Sequence, residues 1–331
     1  MTSQLDEVLT ELKGILADPP DTIEGFRAAW SRVMDRVVAG VDPVPDARYE
    51  PVDVDGVPGT WVSCADPDDR VLLFTHGGGY AFGSVHTHRD FTVRLADACG
   101  ARVLGIDYRL APEHPYPAGV EDAVTAYRWL LSGGVPASRI VLVGDSAGGG
   151  IALAALTRIV AAGLDRPAGA GGGAVGRPAP AGADGGAGAD GGAAGLPTPA
   201  GAVAVSAWLD FEALGASMDT NAAKDPFNQR DVVLMVAAMY LAGGSARDAS
   251  PLYAPLAGLP PLLLQAGGDE VLVDDTRRMA ERARAAGVEV TEHIWDGLYH
   301  DFPIFDPAEA SSVAALAEIA GFVRRVTDSA C

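Results

Sequence analysis

The sequence predicts an α/β protein, a mostly parallel sheet with helices on both faces. Two short runs, VLLF at 71–74 and IVLV at 140–143, are apolar without interruption. Strands read this way when crossover helices cover both faces of the sheet, so that no side chain meets water. Helix-period segments separate these runs, giving the strand–helix alternation of a parallel sheet. The 331 residues are 48% hydrophobic and 21% charged, the composition of a globular chain. That length allows about two domains or one large α/β unit.

Taken in order, Leu5, Val8, Leu9, Leu12, Ile15 and Leu16 recur at helical spacing, and Ile23, Phe26, Trp30, Val33 and Val37 form a second stripe. Pro19 and Pro20 part them, so residues 1–45 are expected to supply a pair of short helices able to cover a cleft. Residues 52–62 read as early strands, 70–75 as a strand ending before His76, and 102–106 as the next. A helix over 120–131, a strand over 140–143 and a helix over 148–162 follow. The tract 168–195 holds 12 glycines among 28 residues, with little to bury, and is expected to be a flexible excursion from the core segment 46–210. Loop-closure entropy grows slowly with length, so such an insertion leaves the topology intact. Residues 203–207 resume the sheet. Residues 211–250 begin polar and irregular, turn helical over 232–241 and stop at Gly243-Gly244, a second covering element. A strand at 260–266, a helix at 273–286, a strand at 288–295 and a helix at 308–326 complete the core within 251–331.

Charge narrows the partners. Twenty-four basic against 44 acidic residues give −20, and Lys13 and Lys224 are the only lysines, so nucleic acid is not an expected partner. Cys64, Cys99 and Cys331 lack metal-knuckle or CxxC spacing, so neither a metal site nor a disulfide framework is expected. The first 18 residues lack the plan of an export signal. No apolar run reaches the roughly 18 uninterrupted residues that span a bilayer. The expectation is a soluble, cytoplasmic protein with no integral membrane segment.

The chemistry concentrates at Gly144-Asp145-Ser146-Ala147-Gly148, which follows the IVLV strand and precedes a helix. A sharp turn there lifts a serine hydroxyl above the sheet, and the helix N-terminus aims the Ala147 amide at developing negative charge. His76-Gly77-Gly78-Gly79-Tyr80 follows another apolar strand, and Gly77 and Gly78 are the leading candidates for further oxyanion donors. His76 is expected to be architectural. A nucleophile of this kind takes its acid and then its histidine later in the chain, and His300 fits that order. Asp269, at the end of a strand, is the first choice to orient His300, with Glu270, Asp274 and Asp275 as rivals and Asp296 shaping the histidine loop. Tyr80, Phe82 and Trp208, with Phe26, Trp30, Met235, Met239 and Tyr240 from the covering segments, are candidate pocket walls.

With HGGGY at 76–80, DYRLAPEHPYPA at 107–118, GDSAGG at 144–149, GGDEVLVDD at 267–275 and His300-Asp301-Phe302, the chain closely resembles the bacterial hormone-sensitive-lipase-like α/β-hydrolases over residues 50–325. The resemblance implies an α/β-hydrolase fold with an eight-stranded core under a helical cap formed by 1–45 and 211–245. It implies Ser146, Asp269 and His300 as the triad and Gly77, Gly78 and Ala147 as the oxyanion hole. It also implies a serine carboxylesterase acting on short or medium, moderately apolar esters through an acyl-enzyme, without cofactor or metal. His114 then belongs to loop organisation with Asp107, Arg109 and Glu113. Ser206-Ala207-Trp208 departs from the family's usual Ser-Pro-Trp. Homodimers through an edge strand occur in the family, and the insertion leaves that assembly open here. A lactone hydrolase using the same groups and a non-catalytic small-molecule receptor on the same scaffold are the competing readings.

Overall fold

The computed structural model describes residues 3–18, 20–39, 41–64, 66–164 and 195–328. In chain order the elements are α1 (Ser3–Ala17), α2 (Ile23–Ala39), β1 (Arg48–Val54), β2 (Val57–Ser63), β3 (Val71–Thr75), α3 (Arg89–Cys99), β4 (Arg102–Ile106) and α4 (Ala118–Ser132). They continue with β5 (Ile140–Asp145), α5 (Ser146–Leu164), β6 (Gly201–Val205), α6 (Ser217–Thr220), α7 (Arg230–Leu241) and α8 (Ala246–Ala249). The last are β7 (Leu262–Gly267), α9 (Val273–Ala285), β8 (Val290–Trp295), α10 (Phe302–Phe305) and α11 (Ala310–Asp328). One eight-stranded sheet has the order β1-β2-β4-β3-β5-β6-β7-β8. Pairing is antiparallel at β1–β2 and β2–β4 and parallel from β4 through β8.

The uninterrupted apolar strands feed two cores. In β3, Val71 and Leu73 join the cluster containing α4, α5 and α9, whereas Leu72 and Phe74 join the one containing α1, α2, α3 and α11. In β5, Ile140 and Leu142 face the first cluster and Val141 and Val143 the second. The period-2 pleat sends neighbours to opposite faces, and both faces are covered. Cys64 and Cys99 are free and buried; burial pushes the Cys99 thiol up to about 12, so it stays an inert small hydrophobe. Among the described residues α5 alone is long and apolar enough to cross a membrane, and its central place in the core accounts for that composition.

The expected flexible tract 168–195 lies outside the described residues except for Gly195, as does Cys331. Gly195 donates its amide to Ala162 O at 3.2 Å, so the described chain resumes beside the end of α5. The order β5–α5–β6 is therefore unaltered. The second apolar stripe does two jobs: Val33 and Val37 of α2 are core, while Ile23, Phe26 and Trp30 line a cavity. Arg27, between them, ties α2 to the sheet loops. Its Nε donates to Ala81 O at 2.8 Å, one Nη to Ala111 O at 3.0 Å, and both Nη to Glu113 at 2.8 Å.

Candidate active site

The nucleophile turn is sharper than its motif implies, because β5 runs through Asp145 and α5 begins at Ser146 itself. Ser146 holds φ +48, a left-handed value that few non-glycine residues adopt. The turn closes so tightly that a Cβ on Gly148 would lie 2.0 Å from Thr75 O, which only glycine avoids. Thr75 Oγ1 fastens the same turn by donating to Gly148 O at 2.8 Å. Ser146 Oγ lies 3.0 Å from His300 Nε2, although 154 residues separate them.

The oxyanion loop lies alongside. A Cβ on Gly77 would come within 3.3 Å of the Ser146 Cβ, and Gly78 and Gly79 line the cavity above the serine. Gly78 has φ +121, and a Cβ there would meet Phe82 O at 2.2 Å. Among the described residues, no acceptor takes the backbone amides of Gly77, Gly78 or Ala147. Buried amides almost always have partners, so three without one beside a serine hydroxyl are candidates to receive an oxygen anion. His76 is buried, stacks on Tyr108 at 4.3 Å and is pushed down to about 4 by burial. It stays neutral and supports the loop. The DYRLAPEHPYPA segment is an anchor: Asp107 Oδ1 accepts from Val85 N at 2.7 Å, and Arg109 donates from its backbone and Nε to Asp122. His114 is exposed and does not line the cavity that holds Ser146.

The expectation that Asp269 meets His300 is corrected by the geometry. Asp269 turns outward to Lys224 Nζ at 2.8 Å and lines a separate cleft with Lys13 and Asp306. Its neighbour Glu270 is completely buried and puts Oε2 3.3 Å from His300 Nδ1, an ion-pair contact off the line of a good hydrogen bond. Such contacts are commonly loose before substrate arrives. Burial pushes the Glu270 carboxyl up, opposed by His300 and Ser206. The turn is held by the segment before α7. Asn221 Nδ2 donates to Gly268 O at 3.0 Å and Glu270 O at 2.9 Å, while Asp225 Oδ2 accepts from Val271 N at 2.8 Å. Asp274 and Asp275 serve local structure, accepting from Ser217 N and from Leu209 and Asp210 N respectively.

A cavity of about 500 Å³ opens over Ser146 and His300. Phe26, Trp30, Phe82, Trp208, Met235 and Met239 wall it, drawn from α2, the oxyanion loop, the β6 exit and α7. Phe82 packs between Phe26 and Trp30 at centroid distances of 5.0 and 4.9 Å. Tyr80 and Tyr240 are corrections. They stack on each other at 4.0 Å in the core, and Tyr80 spends its hydroxyl on Trp208 O at 2.9 Å, so neither wall position is theirs. Three acidic residues line this cavity: Asp21 at its rim before α2, Asp145, 3.2 Å from His88 Nε2, and Asp301, 3.0 Å from His300 Nε2. Sequence reasoning passed over His88 and Asp301 as site residues. The only signal for Asp301 was its place next to His300.

Comparisons with known proteins identify the family and the fold. A family model described as alpha/beta hydrolase fold matches residues 72–304. An acetyl-hydrolase of Streptomyces hygroscopicus is 38% identical over 269 residues, 81% of this chain and 79% of that one. A solved esterase from the bacterial hormone-sensitive lipase family superposes with TM-score 0.84 at 39% identity, covering 99% of both chains. The solved structure of EstE5 soaked by p-nitrophenyl butyrate gives TM-score 0.79 at 33% identity, covering 99% of this chain and 100% of that one. The chain belongs to the alpha/beta hydrolase fold family, in its bacterial hormone-sensitive-lipase-like branch of carboxylic ester hydrolases.

Proposed function

We propose that Ser146, His300 and Glu270 hydrolyse short to medium, moderately apolar carboxylic esters in two acyl-transfer steps. His300 Nε2 takes the Ser146 proton as Oγ attacks the ester carbonyl, and the Gly77, Gly78 and Ala147 amides receive the oxygen anion. His300 then protonates the departing alkoxide. Water repeats the sequence on the acyl-serine, with His300 again as base. Glu270 keeps the imidazole in the tautomer that carries its proton on Nδ1 and stabilises the imidazolium formed in each step. One observation carries the reading: a serine on a left-handed elbow, 3.0 Å from an imidazole, beside unpaired amides.

The cavity supports this choice of substrate class. About 500 Å³ with an aromatic and methionine lining suits a small apolar ester, and among the described residues the wall offers no arginine or lysine to hold a charged acyl chain. The acetyl-hydrolase name of one relative and the p-nitrophenyl butyrate soaked into another support short acyl groups. A p-nitrophenyl ester series from acetate to octanoate, run with a matched lactone and amide, tests this reading. Ser146→Ala is expected to lose at least about 10³-fold of ester turnover and all fluorophosphonate labelling while keeping its fold. A folded variant as active as the parent would show that another group attacks the ester.

A further inference from the structure

The catalytic imidazole faces two carboxylates. Glu270 Oε2 is 3.3 Å from Nδ1, and Asp301 Oδ2 is 3.0 Å from Nε2, the nitrogen that also lies 3.0 Å from Ser146 Oγ. All three ionisable side chains are nearly sealed from water, at 6% exposure for His300, 0% for Glu270 and 7% for Asp301. The one in-plane position on Nε2 points at Ser146 Oγ, so Asp301 meets the ring as an ion-pair partner off that line, a contact that attracts only when the imidazole is protonated. That proton occupies the site on Nε2 that must accept the serine proton.

We propose that Asp301 acts as a second carboxylate on the base, keeping the His300 imidazole protonated at Nε2 by ion pairing and setting the pH above which Ser146 can be activated. The proposal rests on the reading of Ser146 as nucleophile and His300 as its base. The proton balance is simple. As pH rises, the His300–Asp301 pair gives its one proton to water and the bulk buffer, leaving neutral His300 with Nδ1–H toward Glu270 and Asp301 as carboxylate. Nε2 then takes the Ser146 proton as Oγ bonds to the carbonyl carbon. Asp301 afterwards faces an imidazolium N–H and stabilises it until that proton passes to the leaving alkoxide.

The surroundings favour a held proton. Asp145 faces Asp301 from the β5–α5 turn and is itself met by His88 Nε2 at 3.2 Å; Glu270 faces His300 from the β7–α9 turn, with Asp225 beyond it. Burial alone would lower the His300 imidazole, but Asp301 and Glu270 hold it well above its ordinary 6.5. Burial, with the charges of Asp145 and Glu270, pushes the Asp301 carboxyl up to about 7 against the lowering by His300. Since the base works unprotonated, activity should rise with pH through a midpoint displaced upward from 6.5. Asp301 has φ +52 and its amide donates to Ser206 Oγ at 3.1 Å, a backbone that asparagine and glycine also adopt. Replacements there need not disturb the loop.

The test is the pH dependence of kcat/KM for p-nitrophenyl butyrate in the full chain, Asp301→Asn and Asp301→Gly. The acid-side midpoint is expected to fall by about one unit or more in both variants, the effect of removing an opposite charge within hydrogen-bond reach. Relative to its own plateau, each variant then gains roughly tenfold well below the parental midpoint. A midpoint unmoved in both variants overturns the proposal. A ¹⁵N-histidine titration reads the His300 proton without turnover, with the same downward shift expected in Asp301→Asn and an unshifted His300 counting against. If Ser146→Ala stays active, the nucleophile reading fails; if it is dead and the midpoint does not move, the Asp301 proposal alone fails.

Discussion

Two adjacent carboxylates, Asp269 and Glu270, make a sharp test, because their surroundings differ far more than their chemistry. Glu270→Gln removes a completely buried charge 3.3 Å from His300 Nδ1 and keeps the side-chain shape. At an effective dielectric near 20, unit charges at that distance attract by about 5 kcal/mol, which bounds the stabilisation of the imidazolium at roughly 10³- to 10⁴-fold in rate. Asp301 still faces Nε2 and retains part of that stabilisation. The expected loss in kcat is therefore about 10²- to 10³-fold, with KM changed little because the carboxylate does not touch substrate. Asp269→Asn breaks an ion pair whose partners are 31% and 54% exposed. Pairs of that kind contribute about 0 to 1 kcal/mol, so kcat should stay within about fivefold of the parent. Steady-state kinetics on p-nitrophenyl acetate and butyrate, with thermal melts to verify folding, separate the two. An Asp269→Asn enzyme more impaired than a folded Glu270→Gln would refute the assignment and return the acid to the outer position.

Other perturbations probe other parts of the site. Gly78→Ala puts a methyl 2.2 Å from Phe82 O at φ +121, so the loop must move; kcat should fall about 10²-fold or more, with a lowered melt from the backbone strain. Undiminished kcat would remove Gly78 from the oxyanion hole. Phe82→Ala takes out the ring between Phe26 and Trp30 and should shift preference toward longer acyl chains, each newly buried methylene adding about 0.8 kcal/mol, or roughly fourfold in kcat/KM. An unchanged chain-length profile in the ester series would place the acyl group elsewhere. Arg27→Ala leaves Ala81 O and Ala111 O without their donor and frees Glu113, so thermal unfolding should register a loss of about 1 to 3 kcal/mol. A melt equal to the parent's would mean that α2 is held by its apolar contacts alone.

The sheet was legible in the sequence because its strands are short and apolar on both sides, as in Val71–Thr75, where alternate residues feed opposite cores. The candidate nucleophile was legible for a local reason. Glycine, serine and glycine between strand and helix leave one backbone path, and that path aims the hydroxyl into the cavity. The same locality holds for the HGGGY loop, whose close approaches only glycine permits. The starts of elements were less exact: α5 begins at Ser146, two residues before the hydrophobic pattern indicates, since its first turn is glycine-rich and carries little periodicity.

What tertiary structure decided is which side chain faces which. Asp269 and Glu270 are equivalent in spacing from His300, but successive side chains in a turn point apart. The one sealed inward depends on Asn221 and Asp225 arriving from more than 40 residues earlier to clamp the turn. Tyr80 and Tyr240 look like pocket aromatics in isolation and become core because each finds the other's ring at 4.0 Å. Asp301 is an ordinary loop residue until the fold withdraws water from it beside His300. Local backbone preference is written in neighbouring residues and so was available from the sequence, whereas burial and charge pairing are sums over atoms distant in the chain and exist only once the chain has folded.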